Sequence, residues 1–112
     1  YPALLKFEYY NLKCMVLSAC NHLEEAYEVC KQAVEILEKP FLKQKRFDSL
    51  QNLMLTQLTF SLEMEDISKM EESSKQLLSI KPLLTNKSRI ATLNEKVFYA
   101  QLLKCLKQHE YN

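Results

Sequence analysis

None of the 112 residues is glycine, and that absence constrains the fold more than any motif. Tight primed hairpin turns and phosphate-cradling loops rely on residues that enter positive φ without steric cost, which is glycine's property. A chain lacking glycine is therefore expected to use neither. Apolar residues recur at helical spacing, and no strand-length alternation of apolar and polar residues is present. Both observations predict an all-α protein. With 47% hydrophobic residues, including six Tyr and five Phe, the chain has enough apolar material for a continuous core.

The periodicity predicts five helices within one domain of 112 residues. The first runs from about Ala3 to Cys20, with one apolar line through Leu5, Tyr9, Leu12 and Val16 and a second through Tyr10, Cys14 and Leu17. Two such lines predict packing from more than one side. Asn21 and His22 interrupt the pattern as a turn. The second helix, about Leu23 to Glu38, carries Leu23, Ala26, Cys30, Ala33 and Leu37 on one stripe, with Glu24 and Glu25 at the favourable end of its dipole. Lys39 and Pro40 are expected to end it, because proline lacks a donor and restricts its predecessor. A third helix is expected from about Phe41 to Leu62, with core positions Phe47, Leu50, Met54 and Leu58. A fourth spans about Met64 to Ile80, before Pro82. Thr85, Asn86 or Ser88 is positioned to cap a fifth, about 87–108, anchored by Ile90, Val97, Leu102 and Leu106.

A shift of 44 residues superimposes these segments. Tyr10 aligns with Met54 and Phe98, Cys14 with Leu58 and Leu102, and Tyr9 with Leu53 and Val97. In the turns Leu23 meets Ile67 and Tyr111; in the second helices Ala26, Cys30 and Ala33 meet Met70, Ser74 and Leu77. One helical hairpin cannot cover its own apolar faces, whereas stacked hairpins cover one another. The expected organisation is a single helical-repeat domain: hairpin 1 over about 3–39, hairpin 2 over about 41–81, and a third first-helix over about 87–108. The sequence stops in the counterpart of a turn, which suggests a fragment of a longer repeat protein whose last helix is exposed on one side.

Residues 7–40 resemble a tetratricopeptide repeat, a helix hairpin from which superhelical protein-binding scaffolds are built. The family's large first-helix positions fall at Tyr10 and Leu17, with Lys13 and Cys14 between them. Its second-helix small–large–small trio falls at Ala26, Cys30 and Ala33, and Pro40 stands near its terminal proline. The turn Asn21-His22-Leu23-Glu24-Glu25-Ala26 also follows the pattern. Lys13 departs from an aliphatic position and Cys14 from a small Gly or Ala, Cys30 is smaller than the usual aromatic, and Pro40 lies two residues late. Beyond residue 40 the resemblance is weak, because the units are longer than the family's, and the chain equally resembles a related helical repeat of the kind found in scaffold subunits of large assemblies. The resemblance implies a short α-solenoid that binds a peptide segment or partner helix along its first helices. Carried over by position, the protein-binding candidates are Glu8, Asn11, Met15, Ser18 and Ala19. Family members that clamp a chaperone's terminal carboxylate have Lys and Asn where this chain has Asn11 and Met15, so that basic clamp is missing.

The sequence offers little for catalysis. Cys20, His22, Glu24 and Glu25 lie close in sequence, but residues two apart on a helix do not face each other and a turn intervenes. No enzyme activity, cofactor or metal is expected. Four cysteines at 14, 20, 30 and 105 form no CxxC pair and suggest buried free thiols in an intracellular, reducing compartment, cytoplasmic or nuclear. The acidic run Glu63, Glu65, Asp66, Glu71 and Glu72 lacks a calcium-loop pattern and reads as solvated helix surface. Net charge is only +1, so the basic group Lys39, Lys43, Lys45 and Arg46 does not favour nucleic acid. No apolar run is long enough to predict a membrane span. The expected role is a non-catalytic protein-interaction scaffold, or alternatively a structural segment of a multisubunit assembly joined through its final helix.

Overall fold

The computed structural model describes residues 2–110, with side chains to His109. Its elements are α1 (Pro2–Ala19), α2 (Leu23–Lys43), α3 (Phe47–Met64), α4 (Ile67–Ile80), a 3-10 turn at Lys81–Leu83, and α5 (Lys87–Glu110). The all-α expectation is met, with no strand among the described residues. The match of Tyr111 to Leu23 and Ile67 lies outside the described residues.

The first three interhelical turns share one construction. Asn21, Lys45 and Glu65 occupy the left-handed region at φ 62°, 59° and 54°. Each sits just past a helix end, where its N–H bonds the carbonyl three residues back: Ser18, Leu42 and Leu62. The next N–H reaches five residues back, from His22 to Leu17, Arg46 to Phe41 and Asp66 to Ser61. These paired bonds satisfy carbonyls that the helix end orphans. Glycine usually fills this position because Cβ penalises it; here Asn, Lys and Glu carry the strain. The fourth connection differs. Pro82 sits in the 3-10 turn, Leu84 is extended, and Asn86 Oδ1 caps α5 by accepting from the N–H groups of Ser88 and Arg89 at 2.9 and 3.3 Å.

Successive helices run antiparallel and alternate helices run parallel. Phe7, early in α1, meets Phe41, late in α2, with ring centroids 5.6 Å apart, while Cys14 meets Ala26 and Cys30. Helix α2 lies parallel to α4: the Tyr27 hydroxyl reaches Ser73 Oγ at 3.2 Å and Lys69 O at 3.3 Å, and Lys31 pairs with Glu72 at 3.0 Å. Helix α3 lies parallel to α5: buried Gln51 donates to Arg89 O at 2.8 Å, Arg89 reaches Asp48, and at the other end Lys107 donates to Glu65 O at 3.1 Å. Partners in the α2–α4 pair are 41 to 46 residues apart in sequence. The molecule measures 50 × 33 × 20 Å, its short dimension matching two helix diameters.

The main core is built from Phe41, Leu50, Leu53, Met54, Leu58, Met70, Leu77 and Leu93, among others, and a smaller cluster from Cys14, Ala26, Tyr27, Cys30 and Phe60. Three expectations need correction. First, α2 does not end at Lys39 but continues through Pro40 to Lys43, and α3 begins at Phe47 rather than Phe41. A proline inside a helix costs about 3 kcal/mol. Complete burial of Phe41, worth about 1.5–3 kcal/mol, together with its edge contact on Phe7, about 0.5–1.5 kcal/mol, offsets that cost.

Second, the core line of α5 is Leu93, Val97 and Ala100, flanked by half-buried Ile90 and Leu103, whereas Leu102 and Leu106 face outward. The pairing of Tyr10, Met54 and Phe98 therefore breaks at its last member: Tyr10 is half-buried, Met54 buried and Phe98 65% exposed. A shift of 43, which superimposes Leu50, Met54 and Gln57 on Leu93, Val97 and Ala100, matches buried positions instead. In the second helices the original pairs Ala26–Met70 and Ala33–Leu77 are buried throughout. Third, only one of the two apolar lines on α1 is packed, as described next.

Candidate functional site

Helix α1 is apolar on opposite sides. Ala3, Phe7, Tyr10, Cys14 and Leu17 face the cores. The other line, expected to be core, is solvent-facing: Leu5, Tyr9, Leu12 and Val16 are 71%, 59%, 62% and 56% exposed. Intervals of four, three and four residues bring them onto one strip, the spacing of a coiled-coil contact line. Met15 is exposed beside this strip. Contiguous exposed apolar patches on a single helix mark interaction surfaces, unlike scattered single residues.

The depression on this helix is shallow and lined by Phe7, Glu8, Tyr9, Asn11, Leu12 and Met15. Three of the five sequence-derived candidates, Glu8, Asn11 and Met15, thus share one site on α1. Ser18 is half-buried and Ala19 exposed, one to two turns further along. No residue of α3 lines the depression, so it belongs to α1 and not to a groove between first helices. Sequence reasoning missed Leu5, Tyr9, Leu12 and Val16 as surface residues, although their strict alternating spacing was visible.

Charges frame the strip on one side. Lys6 and Lys13 are exposed and form no ion pair among the described residues. The Lys13 ammonium lies 5.9 Å from the centroid of the Tyr9 ring, which packs edge-on against Tyr10 at 5.2 Å. These contacts hold Tyr9 in place on the surface. Four of the five residues of the acidic run are engaged within the chain: Glu65 with Lys107, Glu71 with Lys104, Glu72 with Lys31, and Asp66 with Lys69. Asp66 Oδ1 also caps α4 by accepting from Lys69 N–H at 3.1 Å.

A second unpartnered strip lies on α5, where Phe98, Tyr99, Leu102 and Leu106 are exposed. His22 approaches Glu25 at 3.7 Å with both side chains in solvent, and Cys20 lies exposed in the turn after α1 rather than inside a helix. Among the described residues, no group of three or more His, Cys, Asp or Glu side chains is placed to hold a metal, and no helix is long and apolar enough to cross a membrane. Comparison of the chain with protein-family models, curated proteins and solved structures gives no match.

Proposed function

We propose that the protein is a non-catalytic interaction scaffold of the tetratricopeptide-like helical-repeat kind, and that its α1 outer strip docks an amphipathic helix of a partner protein. The observation that carries this reading is the solvent-facing line Leu5, Tyr9, Leu12 and Val16 on a helix whose opposite side is already packed. The alternating spacing favours a helix as occupant, since only a helical partner presents complementary residues at the same 3.5-residue period. Lys6 and Lys13, which form no ion pair among the described residues, favour acidic residues along one flank of that helix, which would add selectivity and on-rate. The parallel pairing of α2 with α4 and of α3 with α5 supports the repeat reading.

Each exposed side chain would return about 1–2 kcal/mol on burial, so the strip with Met15 supplies several kcal/mol before association costs. Glu8 and Ala19 border the contact on its other flank, whereas Asn11 and Ser18 are half-buried and lie further round the helix. The exposed strip on α5 supports a second reading, a segment of a larger assembly joined through its final helix.

A photoreactive amino acid placed at Leu12, with one at exposed Lys39 as control, tests the first reading. The expected product is a single adduct from Leu12 alone, mapping to an acidic amphipathic segment of another protein. It should disappear in Leu5→Glu with unchanged circular dichroism. An adduct only with a second copy of the chain, or equal adducts from both positions, would contradict it.

A further inference from the structure

Cys14 of α1 and Cys30 of α2 face each other with Sγ atoms 2.8 Å apart, both buried. A disulfide requires about 2.05 Å between sulfurs, so bonding them needs a movement smaller than about 1 Å. We propose that Cys14 and Cys30 form a redox modification site, in which a small-molecule disulfide oxidises the pair and the resulting bond staples α1 to α2. Their spacing of 16 residues carries no motif; only the antiparallel packing brings them together.

The two sulfurs are chemically unequal. The hydrogen bond between the two sulfurs holds Cys14 below the usual thiol range against the opposing effect of burial. Cys30 is pushed above that range by the same hydrogen bond and by burial. The Cys14 thiol donates to the carbonyl of Ala26 at 3.7 Å, a bond it loses on ionising. Of the two, Cys14 is still the more readily ionised sulfur and attacks first as the thiolate. It displaces one thiolate from the small disulfide and forms a mixed disulfide at its own sulfur. Cys30 then gives up its proton and attacks Cys14 Sγ, releasing the second small thiol. Two protein thiols are oxidised, one small disulfide is reduced to two thiols, and every atom is accounted for. Access comes from partial release of α1, a terminal helix of the described bundle.

This inference is independent of the docking reading. The test uses the whole chain with Cys20→Ser and Cys105→Ser, both at exposed positions, leaving only the buried pair. The reduced protein is incubated with oxidised glutathione under native conditions, quenched in acid, denatured and treated with N-ethylmaleimide. The expected product has lost two hydrogens, takes up no maleimide, and gives a cross-linked Cys14–Cys30 peptide after glutamyl-specific cleavage, which cuts between them at Glu24, Glu25 and Glu28. Its unfolding equilibrium constant should fall by roughly 100-fold, as expected for a link closing a loop of this size, and dithiothreitol should reverse the change. The same linkage should appear in the unsubstituted chain by peptide mapping. Two maleimides per chain, mixed disulfides without an internal bond, bonding only in denaturant, or a bond that lowers the unfolding midpoint would each overturn the proposal.

Discussion

Replacing Lys45 by glycine should stabilise this protein, although glycine normally weakens a helical chain. Lys45 holds φ at 59° just past the end of α2, and its side chain is exposed without an ion-pair partner among the described residues. A non-glycine residue in the left-handed region costs about 1–2 kcal/mol. Glycine removes that cost but gives the unfolded chain extra freedom worth about 0.5–1 kcal/mol. The difference predicts a gain of about 0.5–1 kcal/mol for Lys45→Gly, raising the melting temperature by roughly 2–5 °C. Both bonds of the turn, from Lys45 N to Leu42 O and from Arg46 N to Phe41 O, remain possible. Lys43→Gly, two residues earlier and still helical, should instead lose about 0.5–1 kcal/mol. Urea unfolding of the two variants with a common m-value provides the comparison. Equal destabilisation by both substitutions would refute the strain argument.

Gln57 is buried with neither amide atom hydrogen-bonded. Gln57→Leu should therefore stabilise by about 1–3 kcal/mol, measured by urea unfolding, because an unsatisfied buried amide disappears while volume is nearly kept; destabilisation would show that a buried water serves the amide. Asp66→Ala removes the cap of α4 and should cost about 1 kcal/mol, whereas Asp66→Asn should recover most of it in the same assay. Tyr27→Phe deletes a hydroxyl lying between Lys69 O and Ser73 Oγ and should cost about 0.5–1.5 kcal/mol, with faster hydrogen exchange in α4. Val16→Glu should leave the unfolding free energy within about 0.5 kcal/mol of the parent while abolishing partner capture at position 12, since an exposed position contributes little to folding.

Much of the helix content was legible because apolar spacing and turn residues agree. The turns Asn21-His22-Leu23 and Glu65-Asp66-Ile67, aligned by the 44-residue shift, adopt the same left-handed construction in the structure. At Pro40 the local helix-ending rule is overridden by the buried aromatic that follows it: Phe41 contacts Phe7 across 34 residues of sequence, a partner that periodicity cannot supply. On α1 and α5 the difficulty was different. Each carries two apolar lines, and spacing alone does not say which faces inward. On α1 the line containing Cys14 packs because α2 offers Ala26 and Cys30 at matching height; on α5 small Ala100 permits approach to α4 near Met70, so Leu102 and Leu106 are turned away. The candidates Glu8, Asn11 and Met15 were found through family position, whereas the exposed strip beside them emerged only from knowing which side of α1 was occupied.

Hydrogen exchange on the chain bound to the partner captured at Leu12 tests the docking claim most directly. The account predicts slowed exchange concentrated in α1, with α4 unchanged, because a helix laid along the outer strip suppresses opening of α1. Protection confined to α4 or α5, with α1 exchanging as fast as in the free protein, would contradict it.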